Sequence, residues 1–214
     1  MQVVSIQVQF SKYGVATKMV WAKNGTPNTL TGTADDIDIT DLTANTFNQF
    51  LWYNSGSNAD QATTRQTFNN NDNSVYANRT STNGAADATA VSQAFQDYAV
   101  GVAKFGDVLS VQYVISITGE EKLIITNQTW SGTVGATNAP ERVESAGKFV
   151  PSPDADITRI DLNNSYTGNF HVGDNLSALG SDGVESLNVQ DGAIFYETDT
   201  NISYVLYNGS WTAL

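Results

Sequence analysis

The chain has 214 residues, 40% of them hydrophobic and only 15% charged, with a formal net charge of −12. A chain this acidic is a poor partner for nucleic-acid phosphates and for anionic membrane surfaces. With no cysteine and a single histidine, it excludes disulfides, zinc–thiolate centres, thiol nucleophiles and any multi-histidine metal site within one chain.

Asn, Thr, Ser and Gly replace the missing charge, and no long amphipathic helical pattern appears. These residues favour turns and strand surfaces over helix interiors, so the composition leans to an all-β fold. The length suits one sandwich of ordinary size plus a small appendage. Met1-Gln-Val-Val-Ser-Ile offers no basic start and no apolar core of signal-peptide length, so synthesis in the cytosol is expected. No run approaches membrane-spanning length, and no membrane insertion is expected.

In residues 2–10, Val4, Ile6, Val8 and Phe10 alternate with polar residues, which predicts a strand. Ala16 to Ala22 resumes the pattern with Trp21, Asn24-Gly25 signals a tight turn, and Pro27 bars a central strand. Residues 1–29 therefore read as N-terminal strands or a docking arm. A sandwich is expected over 30–182. Its first strand spans Asp35 to Leu42, with Ile37 and Ile39 inward and an acidic solvated face. The carboxylates Asp35, Asp36, Asp38 and Asp41 also suggest a calcium loop, but the glycine that its sharp turn needs is absent. Thr46 to Tyr53 is dense in aromatics and predicts a core strand. The alternative is an exposed stacking platform in which Trp52, Tyr53 and Trp130 meet a sugar ring.

Residues 54–90 are polar loops flanking one strand near Phe68 and another over Val75 to Arg79. Residues 91–105 read as a short helix or two strands, and Gly101 favours strands. Asp107 to Leu162 organises the rest. Val111, Tyr113, Ile115 and Ile117 recur every second residue, predicting a strand with that face buried. A turn at Gly119 leads into Lys122 to Trp130, whose Leu123-Ile124-Ile125 run suggests a strand covered on both sides. Ala139 to Phe149 and Ile157 to Leu162 supply two more strands. Gly168 and Gly173 turn the chain into a last sandwich strand, with Leu176, Ala178 and Leu179 closing the core. Residues 183–214 alternate again around Asn208-Gly209, a two-residue hairpin signal, and form a small β-meander.

No catalytic constellation emerges. Glu120 and Glu121 are turn residues, Glu141, Arg142 and Glu144 suit a structural ion pair, and His171 beside Asp174 lacks a nucleophile in a readable pattern. Asn-x-Ser/Thr triplets begin at Asn24, Asn78, Asn127, Asn163, Asn175, Asn201 and Asn208, as an Asn-, Ser- and Thr-rich chain generates by chance.

Several spaced motifs look familiar. They are Tyr113-Val-Ile-Ser-Ile-Thr-Gly-Glu-Glu-Lys-Leu-Ile-Ile125, Ala139-Pro-Glu-Arg-Val-Glu-Ser-Ala-Gly-Lys-Phe149, Ile157-Thr-Arg-Ile-Asp-Leu-Asn-Asn164 and Asn175-Leu-Ser-Ala-Leu-Gly-Ser-Asp182. Together with Tyr76…Arg79…Asn83-Gly-Ala-Ala-Asp87, they resemble a family of virion structural proteins of marine tailed phages and related archaeal viruses. The C-terminal Gly192-Ala-Ile-Phe-Tyr-Glu-Thr-Asp-Thr-Asn…Trp211 resembles a β module at the ends of phage tail and fibre proteins. Phe149 stands where that family more often has Trp, and Phe50-Leu-Trp-Tyr replaces a more aliphatic strand.

The resemblance implies an antiparallel jelly-roll-like β-sandwich and transfers no catalytic residues. It implies a non-enzymatic virion structural protein on the particle surface, either a capsid decoration or a tail or fibre component. Its partners would be other virion proteins and further copies of itself in a closed homo-oligomer such as a trimer. The alternative is a host-attachment adhesin module that binds a surface glycan. No cofactor and no metal are expected.

Overall fold

The computed structural model describes residues 21–55, 64–97, 107–131, 135–164, 168–182, 192, 194–197, 202–208 and 210–214. The strand expected over 2–10, the segment 98–105 and the turn at 198–201 lie outside them. The described chain is all-β, built from antiparallel sheets packed against each other, with no helix. Its strands are β1 (Ala22–Lys23), β2 (Asn28–Thr29), β3 (Asp36–Ile39), β4 (Phe47–Asn54), β5 (Thr64–Phe68), β6 (Tyr76–Thr82), β7 (Ala88–Gln93) and β8 (Gln96–Asp97). They continue with β9 (Val108–Ile115), β10 (Lys122–Trp130), β11 (Glu141–Phe149), β12 (Ile160–Asn164), β13 (Asn175–Ser181), β14 (Ile194–Glu197), β15 (Ile202–Tyr207) and β16 (Ser210–Ala213).

Two compact units result, Trp21–Gly183 and Met1–Val20 with Val184–Leu214. The first opens ahead of the boundary expected at residue 30, because β1 and β2 pair with β13. Among its described residues, a nine-stranded sheet runs β1-β13-β4-β9-β10-β11-β6-β7, with β2 also on β13. A four-stranded sheet, β3-β12-β5-β8, faces it. In the second unit, β14-β15-β16 form the expected meander. Its β15–β16 hairpin closes at Asn208, whose φ of 50° fits the two-residue turn.

The sandwich core forms where apolar positions of the two sheets meet. Phe50 and Phe149 from the large sheet flank Phe68 from the small one, with ring centroids 5.8 and 5.6 Å apart, and Tyr76 stacks on Phe149 at 4.9 Å. Ile37, Ile39, Ile160 and Leu162 fill the small-sheet side, as the alternation in β3 predicts. Arg159 spans Asp38 and a buried Asp161, and Asn163 donates to Asp36, on the outer side of the small sheet.

Part of the interior is polar. Gln66 on β5 and Gln112 on β9 exchange amide hydrogen bonds of 3.0 and 2.9 Å, and Gln112 Nε2 also donates to Thr126 Oγ1 at 3.0 Å. Gln128 Nε2 donates to Ser110 Oγ at 2.8 Å. These reciprocal bonds offset the desolvation of the buried amides. They also correct the sequence reading of β9. Its buried positions are Val108, Ser110, Gln112 and Val114, and Val111, Tyr113 and Ile115 point outward.

Candidate functional site

The feature that stands out is the outer face of β4, β9 and β10. In these strands side chains alternate across the sheet, so one set faces the core and the other faces away. Pairing aligns the outward set into rows. Phe47, Ile115 and Leu123 lie side by side, then Gln49, Tyr113 and Ile125, then Leu51, Val111 and Asn127, then Tyr53, Leu109 and Thr129. Tyr113 is 46% exposed, Leu123 54% and Ile125 58%. Leu179 on β13 and Ala146 on β11 extend the second row at its two ends.

The face carries no charge. The only ionisable side chain with a formal charge in β4, β9 and β10 is Lys122, and it is fully buried on the inner side. Charges begin at the rim, where Lys148 bonds Glu121 at 2.9 Å and Arg142 approaches Glu144 at 3.8 Å. The outer face of the small sheet is the opposite, with Asp36, Asp38, Asp161 and Arg65 on it. A sandwich that meets water on both outer faces has polar residues on both. This one has a polar face and an apolar face.

The three residues considered for sugar stacking do not converge. Trp52 is 1% exposed and Trp130 is 6% exposed, both on the inner side of the large sheet, Trp52 in the main core and Trp130 with Val108 and Val143. Tyr53 alone faces outward, at the corner of the apolar patch beside Leu109. Burial, then the hydrogen bond to Asp107, pushes its phenol up.

His171, Ser55 and Asp174 come together, but in a structural order. Asp174 is fully buried; its Oδ1 accepts from the Ser55 amide and hydroxyl at 2.7 and 2.8 Å, and its Oδ2 accepts from the His171 amide at 2.9 Å. Asp174 meets His171 at its main-chain amide and not its ring, and the buried Nε2 of His171 has no hydrogen-bond partner among the described residues, so the trio lacks the serine–imidazole contact of a catalytic base. The trio ties the end of β4 to the turn before β13. The carboxylates that suggested a calcium loop also have separate partners. Asp41 accepts from the Thr26 amide and hydroxyl, which hold its carboxyl below its ordinary range, and Asp38 meets Arg159. No group of three or more metal-ligating side chains stands together among the described residues.

No family model, curated protein or solved structure matches this chain. The apolar face was missed in the sequence because its residues were assigned to the core. The signal was present, since Leu123, Ile124 and Ile125 are consecutive apolar residues and a strand can bury only every second one in a single core.

Proposed function

We propose that the chain is a non-enzymatic structural component of a virus particle, a capsid decoration or a tail or fibre element, held in its assembly by the outer face of β4, β9 and β10. One observation carries the assembly part: the outer face of β4, β9 and β10 is largely apolar and free of charged side chains in a chain of net charge −12. Contiguous apolar patches beyond a few hundred Å2 mark interaction surfaces. The virion context rests on the resemblance of the motifs in 113–182 to virion structural proteins. On this reading the outer face of the small sheet, with Asp36 and Asp38, is left to solvent.

Locating the chain in purified particles tests the reading. The expected result is a fixed copy number per particle and loss of incorporation on Ile125→Glu, with the β-rich circular dichroism spectrum retained. Particles that lack the chain, or turnover of a polysaccharide by the isolated chain, would overturn it.

A further inference from the structure

Resting on that assembly reading, we infer that the occupant of the apolar face is a second copy of this chain, docked face to face about a two-fold axis. Size is the first argument. The exposed parts of Phe47, Tyr53, Leu109, Tyr113, Leu123 and Ile125 amount to on the order of 600 Å2, at the upper limit of what a monomer leaves in one patch. With the half-buried neighbours Leu51, Val111 and Ile115 added, the patch approaches the roughly 800 Å2 per partner of a standard stable interface.

Charge is the second argument. Two copies that each carry a net charge of −12 repel one another, and their closest approach is least costly where neither presents a carboxylate. The centre of this face presents none. At its rim both signs occur, Arg142 and Lys148 with Glu144 and Glu121, so a two-fold mate can answer each charge with its opposite.

The third argument fixes the symmetry. A ring or a filament joins two different patches, whereas a two-fold dimer joins one patch to itself. The other exposed large apolar residues described in this unit, Trp21, Val91, Ile117, Val150 and Val172, are spread over separate elements and the end of β9. The opposite outer face holds Asp36 and Asp38. Stacking the apolar face on that one would desolvate carboxylates without new partners. Among the described residues of this unit, the patch is therefore matched only by itself.

Sedimentation of the full chain over a concentration series decides the matter. The expected species has twice the chain mass. Ile125→Glu and, on a neighbouring row, Leu123→Glu each raise the dissociation constant about 30-fold or more, as a charge at the centre of an interface does. Val172→Glu, away from the patch, leaves the mass unchanged. A monomer at every concentration overturns the proposal. So does a dimer that persists in both patch variants, or a trimer. Particle binding separates this inference from the reading beneath it. A monomer that still binds particles through Ile125 sinks the dimer and keeps the assembly role, and a dimer lost on Ile125→Glu with no affinity for particles does the reverse.

Discussion

Lys122→Met is the sharpest probe of how this sandwich closes one end. The Lys122 side chain is fully buried at the start of β10. Its Nζ donates to the Ile117 carbonyl at 2.7 Å, the Glu120 carbonyl at 2.9 Å and Asp154 Oδ1 at 2.7 Å. It thereby satisfies the turn between β9 and β10 and ties it to the loop that follows β11, with Asp154 also accepting from the Gly119 amide. Methionine fills the same volume and makes none of these bonds. Losing a buried charged donor from a pair costs about 3–5 kcal/mol. Asp154 keeps about a third of its side chain in water, and hydration there returns part of the loss, so the lower end, about 3 kcal/mol, is expected. For a unit of this size that lowers Tm by about 6–12 °C in calorimetry at pH 7. The same bond sets an acid dependence. The Lys122 hydrogen bond, then the Gly119 amide, holds the Asp154 carboxyl below its ordinary value of 3.8. A depressed folded pKa gives stability that is present above 3.8 and lost as pH falls through the folded value. The gap in Tm between wild type and Lys122→Met therefore narrows between pH 7 and pH 3. A variant as stable as wild type at pH 7, or a gap that does not change with pH, would refute the reasoning.

Three further outcomes follow from the interior. Trp52→Ala empties a fully buried site and costs about 3–5 kcal/mol in urea unfolding, whereas a stacking role alone would leave stability unchanged. Gly147→Ala puts a Cβ 2.5 Å from Gln96 Nε2 and destabilises by about 1–3 kcal/mol; adding Gln96→Ala restores most of it, as paired urea melts would record. Tyr76 donates to the Asn71 carbonyl and accepts from the Phe68 amide, and burial pushes its phenol well above the ordinary value of 10.0. A raised folded pKa gives stability that is lost as pH rises above 10, and ultraviolet titration of the native protein should leave this tyrosine un-ionised while exposed ones ionise.

Strand positions were legible because turn chemistry marks them. Gly119 adopts φ of 84° in the β9–β10 turn, and Asn208 the left-handed geometry of the last hairpin. Which face of each strand lies inside was legible only where a single phase is apolar. In β3, Ile37 and Ile39 leave no choice, and both are buried. In β9, Val111, Tyr113 and Ile115 outrank Ser110 and Gln112 on hydropathy, and yet the second set is buried. Hydropathy ranks side chains against water one at a time, whereas the cost of burying Gln112 depends on Gln66, 46 residues away in sequence. A periodicity cannot see that partner. Trp52 and Tyr53 show the same limit, since adjacent aromatics on a strand must part to opposite faces and nothing local says which goes inward.

Polar residues inside and apolar residues outside are one pattern. Hydrogen bonds joining Gln66, Gln112 and Thr126, and Gln128 to Ser110, let polar side chains occupy the inner face of β9 and β10, so the apolar residues of these strands stand on the outer face. In the isolated chain it contributes only cross-strand contacts to stability and adds a hazard of association. Its apolar rows, kept clear of charge across three adjacent strands, make physical sense in a chain whose working state covers them. If the proposed assembly role holds, Ile125→Glu should leave the monomer folded and remove its assembly.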